Sequence, residues 1–214
     1  YRKNLGKQRA KEFSVEADLV SGVPDSGNPA SIGYCEESKI QFYMGIIRNH
    51  YIGRTFIEPT QQIRQLGVKH KHNPNRAVIK NKRIILVDDS IVRGTTSKKI
   101  VSMLYEVGAK EVHMKISSPP IKFPDYYGID TPNVSELLAA NNSIEEMRKI
   151  IGVKTLSFLS IDGVYKALGF EKRDNKNPQF TDHCFTGDYP GVPEDFKNQT
   201  EKNNQLSLLS NFTG

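Results

Sequence analysis

Short apolar runs alternate along the chain with segments of helical character, and this alternation predicts strands followed by helices. Turn residues bound the apolar runs, as in the "PDSG" of residues 24–27, which is typical of buried strands. The predicted strands cover residues 17–23, 40–47, 83–87, 111–117 and 155–160. The predicted helices cover residues 1–13, 29–39, 143–151 and 161–169, and one more that ends at Gly108.

Strands that alternate with helices predict an α/β fold with a mostly parallel central sheet flanked by helices. In such sheets, ligands bind beyond the carboxyl ends of the strands, where the turns at residues 24–27 and 87–90 are expected. Residues 49–82 show little regular apolar patterning, which predicts a functional loop, with or without a short helix, or a disordered segment. The chain becomes polar past about residue 171, and its end is predicted to be disordered or to form a docking helix.

Composition narrows the class of protein. Hydrophobic residues make up 37% of the chain, and no apolar run approaches the ~18 residues of a membrane span, which predicts a protein without a membrane partner. No signal peptide is recognised, which predicts a cytoplasmic location. The net charge of +6 is spread along the chain, which argues against a nucleic-acid partner. The cysteines, Cys35 and Cys184, form neither a disulfide framework nor a zinc site. The first residue, Tyr1, indicates a fragment, a processed form or the back part of a longer chain.

The stretch "RIILVDDSIVRGTTSKK" at residues 83–99 carries the strongest chemical signal. A predicted strand ends in Asp88 and Asp89, and a turn with hydroxyl side chains and Gly94 leads into a helix. Free backbone N–H groups at such a turn and helix N-terminus favour an anion. The spacing is neither that of a Walker loop nor that of a dinucleotide-binding fingerprint.

Two adjacent carboxylates would repel a bare phosphate, but they would suit another part of the same ligand. Carboxylates accept hydrogen bonds from ribose hydroxyls, and Mg²⁺ prefers carboxylate oxygen. A ligand with a 5′-phosphate, ribose hydroxyls and a metal-bound diphosphate would use all of these features. The other interpretation is an ordinary turn with two acids that face solvent.

Several motifs together resemble one known family. "VDDSIVRGTT" looks like the 5-phosphoribosyl diphosphate (PRPP) motif of type I phosphoribosyltransferases. With "GVPDSG", "GRTFIEPTQQIR", "YYGIDTP" and "FTGDYP", it resembles the synthase domain of the amidophosphoribosyltransferase family, from about residue 2 to 190. The resemblance implies a type I phosphoribosyltransferase fold and a pentosyltransferase of purine biosynthesis. Such an enzyme transfers the phosphoribosyl group of PRPP to ammonia, giving 5-phosphoribosylamine and diphosphate.

The resemblance also implies the binding residues. Asp88 and Asp89 would meet the ribose hydroxyls and Mg²⁺, and Ser26 matches a further metal-linked position. The turn formed by Asp25, Ser26 and Gly27 would receive diphosphate. The residues expected to cradle the 5′-phosphate are Ser90, Ile91, Val92, Arg93, Gly94, Thr95 and Thr96.

Residues 49–74 match the flexible catalytic loop of the family. Breaking the C1–oxygen bond of PRPP creates a centre that water would attack, so a lid must close first. The predicted catalytic residues, which would cover the ligand and neutralise diphosphate, are Tyr51, Arg54, Lys69 and Lys71. His70 and His72 depart from the family pattern, and neither is assigned a role.

Other family features are absent from the sequence or follow from the resemblance alone. The N-terminal glutaminase domain is missing, so ammonia would be free or come from a partner chain. One branch of the family holds an iron–sulfur cluster with four cysteines, but two of those positions are here Asp125 and Thr181, so no cluster is predicted. The resemblance implies a homo-oligomer and purine nucleotides as feedback inhibitors. Residues 1–170 are expected to form an N-terminally truncated phosphoribosyltransferase domain, 171–190 an extension that packs on it, and 191–214 a polar tail.

Three alternatives remain open from the sequence. The first is a phosphoribosyltransferase for a nucleobase, against which "YYGIDTP" and "FTGDYP" argue. The second is a non-catalytic regulator that binds PRPP, and the third is an inactive fragment.

Overall fold

The computed structural model describes residues 1–49, 51, 71–129, 131 and 133–191. Its helices are α1 (Arg2–Glu12), α2 (Asn28–Ser38), α3 (Arg76–Ile79), α4 (Thr95–Glu106), α5 (Leu138–Asn141), α6 (Ile144–Ile151), α7 (Ile161–Ala167) and α8 (His183–Thr186), with a 3₁₀ turn at Val134–Glu136. Its strands are β1 (Leu19–Gly22), β2 (Ile46–Arg48), β3 (His72–Pro74), β4 (Arg83–Asp88), β5 (Glu111–Ile116) and β6 (Thr155–Phe158).

A parallel sheet of four strands in the order β1-β4-β5-β6 forms the centre of the described fold. Gly22 at the end of β1 lies opposite Val87, and Asp88 at the end of β4 lies opposite Ile116. The carboxyl ends of three neighbouring strands therefore lie at one edge of the sheet. The predicted α/β fold with a parallel central sheet is confirmed.

Both faces of the sheet are covered, which explains the continuous apolar run of β4. Ile84 and Leu86 belong to a large cluster with residues of α4 and α6. Ile85 and Val87 point to the other face, where α1 and α2 contribute Ala10, Ala30 and Tyr34 to a second cluster. Successive side chains of a strand alternate between faces, so all four positions of β4 from Ile84 to Val87 need to be apolar.

The predicted strand at residues 40–47 was wrong over most of its length. Phe42 forms an isolated parallel bridge with Val20, and Tyr43 N donates to the Val20 carbonyl, but Gly45 N then donates back to the Tyr43 carbonyl. Only Ile46–Arg48 is a strand, and it pairs antiparallel with β3. The stretch 49–82 was expected to be a functional loop, with a short helix as one option, or a disordered segment. Its described part contains the short helix α3 and, in addition, the strand β3, which was not predicted.

Helix α6 begins as its sequence predicts. The Ser143 hydroxyl accepts a hydrogen bond from Glu146 N, and the Glu146 carboxylate accepts one from Ser143 N at 2.8 Å. The capping box is confirmed, and it satisfies two backbone donors at the helix start. In the part of the chain that the structure describes, no helix combines the length and the apolar character needed to cross a bilayer.

Residues 170–189 contact α7 through a buried ion pair. Arg173 donates to both carboxylate oxygens of Asp182, at 2.7 and 3.0 Å, and also to Asp188 at 2.7 Å. The Tyr165 hydroxyl of α7 donates to Asp182 at 2.8 Å. The Arg173 and Asp182 side chains are each only 6% exposed, so this network fixes the segment against α7 in a nearly dry environment.

Helices α1 and α2 cross at two glycines. A methyl group added at Gly6 would lie 1.8 Å from the Ala30 carbonyl oxygen, and one at Gly33 would lie 1.8 Å from the Lys3 carbonyl oxygen. The two backbones therefore touch directly, which places α2, and the turn that precedes it, close to the sheet. No other residue type permits this approach without moving the helices apart.

Gly6→Ala is expected to lower the free energy of unfolding by about 1–3 kcal/mol, the usual cost of overpacking. The clash with the Ala30 backbone outweighs the gain in helix propensity. Thermal unfolding followed by circular dichroism measures the effect. Gly191→Ala is the matched control, since open space surrounds that position. An unchanged melting temperature for Gly6→Ala would contradict the close crossing.

Candidate active site

A cavity of about 810 Å³ lies at the carboxyl ends of β1 and β4. Eleven of the twelve residues that the sequence predicts to bind PRPP line it, and Gly27 does not. Those eleven are Asp25, Ser26, Asp88, Asp89, Ser90, Ile91, Val92, Arg93, Gly94, Thr95 and Thr96. The two turns singled out in the sequence therefore face the same space.

The turn after β4 ends at the N-terminus of α4. Gly94 precedes the helix with φ of 75°, a left-handed conformation that glycine adopts without strain. No side chain caps this helix end in the described structure, so its first N–H groups remain available for a ligand. The helix dipole adds a partial positive charge there. These features suit an anion such as a phosphate group.

Residues 134–138 support this turn from outside. Leu138 N donates to the Val92 carbonyl at 2.9 Å, and the Arg93 guanidinium donates to Glu136 at 2.6 Å. Neither contact was predicted from the sequence. Glu136 is 43 positions from Arg93, and no local pattern signals such a pair.

Asp88 and Asp89 have different environments. Asp88 is buried, with 7% of its surface exposed, and its Oδ1 accepts a hydrogen bond from Asp89 N at 2.9 Å. Asp89 is half-buried, and its carboxylate accepts a hydrogen bond from the Ser90 hydroxyl at 3.4 Å. Burial raises the pKa of Asp88 well above its usual value, and the neighbouring Asp89 carboxylate raises it further.

Two carboxylates held this close need a cation or hydrogen-bond donors to become fully ionised. The donor set, carboxylate and hydroxyl oxygen, is that of a Mg²⁺ site, and a cation there would offset the burial and the Asp89 charge that raise the pKa of Asp88. The residues present therefore fit Mg²⁺. Ser26 lines the same cavity from the other turn.

The turn at residues 24–27 packs closely against β4. Gly27 N donates to the Val23 carbonyl at 2.8 Å, and a methyl group at Gly27 would lie 2.5 Å from the Val87 carbonyl oxygen. Gly27 thus supports the turn from behind and does not face the cavity. The Arg48 guanidinium of β2 forms an ion pair with Asp25. Arg48 was missed from the sequence, where its position ahead of the predicted lid was the only available signal.

The predicted lid residues divide into three groups. Lys71 lines the cavity and is buried, whereas Tyr51 is fully exposed and does not line it. Arg54 and Lys69 lie outside the described residues, as does His70. His72, which was given no role, is buried and lines the cavity.

The two ends of the lid stretch meet beside the cavity. Asn49 N donates to the Lys71 carbonyl at 2.8 Å, and Arg48 lies opposite His72 in the β2–β3 pair. Arg48 and His72 thus reach one wall of the cavity from this short pair of strands, and Lys71 reaches it from the position just before β3.

Basic side chains outside the predicted motifs also line the cavity, namely Arg2, Arg48 and Lys99. Arg2 begins α1 and Lys99 lies in α4, so helices on both faces of the sheet supply positive charge. A cavity with acids at the strand end and bases around its rim suits a ligand that carries several phosphates and hydroxyls.

A second group of polar residues brings together the segments around Asp125 and His183, which lie far apart in sequence. His183 Nε2 lies 2.6 Å from the Asp125 carboxylate, and Cys184 Sγ lies 4.0 Å from the same oxygen. Asp125 also accepts hydrogen bonds from Tyr127 N and Ile129 N, each at 2.8 Å. Burial opposes ionisation of Asp125, but these hydrogen bonds hold its pKa below the usual value.

An iron–sulfur cluster does not fit at this second group. Asp125 and Cys184 occupy positions that hold cluster cysteines in one branch of the resembling family, and the structure brings them together. Cys184 is the only thiol at the group, because Cys35 lies in α2. Burial, and then the Asp125 charge, raise the pKa of the Cys184 thiol. The hydrogen-bonded Asp125–His183 pair instead joins the loop after β5 to α8.

The parallel sheet, with the turn at Gly94 and the acid pair at one edge, defines a domain with the type I phosphoribosyltransferase fold. Over 210 residues the chain is 60% identical to an amidophosphoribosyltransferase of Rhizobium etli, an alignment that covers 98% of this chain and 42% of the relative. It is 55% identical to that of Bacillus subtilis over 189 residues, or 88% of this chain and 40% of the relative. The chain belongs to the amidophosphoribosyltransferase family.

A solved structure agrees with this assignment. The glutamine PRPP amidotransferase from B. subtilis complexed with ADP and GMP superposes with a TM-score of 0.79 at 54% identity, covering 91% of this chain and 43% of that one. The chain spans about two fifths of the length of these relatives. A scan against models of protein families found no match.

Proposed function

We propose that this chain is the phosphoribosyl-transferring part of an amidophosphoribosyltransferase. It would transfer the phosphoribosyl group of PRPP to ammonia, the first step of purine nucleotide synthesis. The observation that carries the proposal is the cavity at the ends of β1 and β4. A helix N-terminus for a phosphate, an acid pair for ribose hydroxyls and metal, and a second turn beside Arg48 all line it.

Each element has one task in this proposal. The turn from Ser90 to Thr96 and the start of α4 bind the 5′-phosphate, and Asp88 and Asp89 accept hydrogen bonds from the ribose hydroxyls. Asp88, Asp89 and Ser26 would hold Mg²⁺, which supplies positive charge to the diphosphate. The turn from Asp25 to Gly27, with Arg48 and Lys71 nearby, receives the leaving diphosphate.

The chemistry needs no protein nucleophile. The ammonia nitrogen forms a bond to C1 of the ribose, the C1–oxygen bond breaks, and diphosphate leaves with the electron pair, while ammonia loses a proton. Positioning and stabilisation of the leaving group then supply most of the catalysis. Tyr51, Arg54, Lys69 and Lys71 are proposed to cover the ligand and keep out water.

The wider setting follows from the family. We place the catalytic unit in residues 1–170 and the extension in 171–190. Ammonia would come from glutamine, through a glutaminase domain in the part of the relatives that this chain does not span. Because a relative has been solved with ADP and GMP, purine nucleotides are proposed as regulators. A homo-oligomer is proposed as the assembly from the family resemblance alone. Both cysteines are free thiols, which favours a reducing compartment such as the cytoplasm.

Diphosphate release by the purified chain tests this function. The chain is incubated with PRPP and Mg²⁺ in mildly alkaline buffer, with ammonium chloride or with sodium chloride at equal ionic strength. Release that depends on ammonium is the expected result. Release that depends on an added purine base would indicate a nucleobase phosphoribosyltransferase, and PRPP binding without release would indicate a regulator or an inactive fragment.

A further inference from the structure

The group formed by Asp125, His183 and Cys184 has no part in the proposed transfer reaction, because none of the three lines the substrate cavity. Each side chain offers one atom that can bind a metal ion, and these three atoms lie within 4.8 Å of one another. The Asp125 side chain is only 2% exposed and that of His183 only 5%. Burial distinguishes this group from the exposed acidic clusters that are common on proteins without a metal ion.

The Asp125 carboxylate is held so that one oxygen faces the other two side chains. Its Oδ1 accepts hydrogen bonds from Tyr127 N and Ile129 N, each at 2.8 Å. Its Oδ2 lies 2.6 Å from His183 Nε2 and 4.0 Å from Cys184 Sγ. Hydrogen bonds that fix the orientation of a ligand are typical of metal sites in proteins. Oδ2 is therefore the oxygen that a metal ion would meet.

The other two side chains are also fixed in place. The Tyr127 and Tyr189 rings pack on the His183 ring, with centroids 5.0 and 5.1 Å away. His183 Nδ1 has no hydrogen-bond partner among the described residues, so Nε2 is the nitrogen that the fold directs at the group. The Cys184 carbonyl accepts a hydrogen bond from Phe123 N at 3.1 Å, which aligns the two segments through their backbones.

The distances within the group are close to those of a zinc site. Zinc bonds of about 2.0–2.2 Å to oxygen and nitrogen, and of about 2.3 Å to sulfur, place tetrahedral ligands roughly 3.3–3.7 Å apart. The separation of 2.6 Å between Asp125 and His183 is shorter than this, and the 4.0 Å between Asp125 and Cys184 is longer. Each separation changes by less than about 1 Å when a metal ion replaces the proton between Asp125 and His183.

Charge and ligand type select the metal. A carboxylate, a thiolate and a neutral imidazole together carry two negative charges, which a divalent cation neutralises in a buried position. Sulfur and nitrogen ligands favour Zn²⁺, whereas Mg²⁺ prefers oxygen alone. An iron–sulfur cluster needs more thiolates than Cys184 supplies. Three protein ligands leave the fourth tetrahedral position for a water molecule.

We propose that Asp125, His183 and Cys184 bind a single Zn²⁺ ion, which joins the loop after β5 to α8. The ion attaches the segment after residue 170 at a second point, in addition to the buried pair of Arg173 and Asp182. Its role is structural, and the proposal does not depend on the transfer reaction.

Titration of the full chain with Co²⁺ tests the site, because this ion occupies zinc sites and its absorption reports its ligands. The chain is freed of metal with a chelator in reducing buffer and titrated in excess Mg²⁺, which competes for oxygen-only sites such as the acid pair of the substrate cavity. We expect one Co²⁺ per chain, with the visible absorption of a tetrahedral ion and the near-ultraviolet band of a cobalt–thiolate bond. Added Zn²⁺ should displace the cobalt and remove both signals.

The two cysteines of the chain provide matched variants. Cys184→Ser should lose the thiolate band and bind Zn²⁺ at least about tenfold more weakly, since even residues that only support a metal ligand contribute that much. Cys35→Ser is the control and should keep both the band and the affinity, because Cys35 lies in α2, away from the group. A parent chain without the thiolate band overturns the proposal, and so does a band that survives in Cys184→Ser.

Thermal unfolding provides a second readout. An ion that binds only the folded chain raises its melting temperature, so Zn²⁺ should do so in the parent and in Cys35→Ser. Cys184→Ser and Asp125→Asn should show little or no rise. An equal rise in all four proteins would place the zinc elsewhere and overturn the proposal, as would no rise in the parent. Should Asp125→Asn not fold, the comparison of the two cysteine variants decides alone.

Discussion

The double variant Asp88→Asn/Asp89→Asn is expected to lose PRPP binding while the folded protein stays at least as stable as the parent. Two charge-assisted hydrogen bonds to ribose hydroxyls contribute about 1.5–3 kcal/mol each, so the dissociation constant should rise by about 100-fold or more. Loss of the metal-binding oxygens adds to this effect. Isothermal titration calorimetry with PRPP and Mg²⁺ measures the change.

Stability should move in the opposite direction because of the pKa of Asp88. This pKa is raised in the folded protein by burial and by Asp89, so the unfolded chain loses the proton first. The ligand-free protein therefore becomes less stable as the pH rises from about 3.9 towards the raised pKa, and asparagine removes this cost. At neutral pH the melting temperature of the variant should equal or exceed that of the parent.

The control for this experiment changes a carboxylate of similar type outside the substrate cavity. Glu145→Gln removes an exposed acid on α6, and PRPP binding should be unaffected. Retained binding in the double variant would refute the proposed role of the acid pair. A large fall in its melting temperature would show that Asp88 and Asp89 serve the fold and not the ligand.

Much of the fold was predictable because the central strands are buried on both faces. The run Ile84–Val87 has no polar position, and in a parallel sheet each of its side chains meets a helix. The capping box of Ser143 and Glu146 was equally clear, since it depends on residues three positions apart. Local patterns decide both features.

The strand expected at residues 40–47 shows where local patterns fail. Its apolar residues include Tyr43 and Met44, which are largely exposed, and Gly45 redirects the backbone. The strand that does form, Ile46–Arg48, depends on pairing with His72–Pro74, more than twenty positions away. Pairing over such a distance depends on the tertiary fold, and composition alone cannot predict it.

Those residues of the candidate site that lie within continuous sequence motifs were predicted. The turn after β4 and the turn after β1 were recognised because each is one continuous stretch of sequence. Arg48, His72 and Glu136 were not, since each reaches the site from a separate element.

The buried ion pair of Arg173 and Asp182 leads to the largest expected loss of stability. Asp182→Asn leaves the Arg173 guanidinium buried with a neutral partner. Removing one member of a buried ion pair lowers the free energy of unfolding by about 3–5 kcal/mol. The structure offers a matched control in Glu145→Gln, since Glu145 also accepts two hydrogen bonds from one arginine, Arg148, but Glu145 is exposed and Arg148 only half-buried. Chemical denaturation of both variants measures the difference.

The pH dependence gives a second, independent measure of this ion pair. Burial raises the pKa of Asp182, but hydrogen bonds from Arg173, Tyr165 and Thr186 outweigh burial and hold that pKa below its usual value. The stabilising contribution of Asp182 is therefore complete above the unfolded pKa of about 3.9 and is lost as the pH falls through the lower, folded value. Asp182→Asn should remove this part of the acid transition. At neutral pH, Glu145→Gln should lower the free energy of unfolding far less than Asp182→Asn does, because water screens the pair of Glu145 and Arg148. Equal losses in the two variants at neutral pH would mean that the segment after residue 170 does not depend on Arg173 for its attachment to α7.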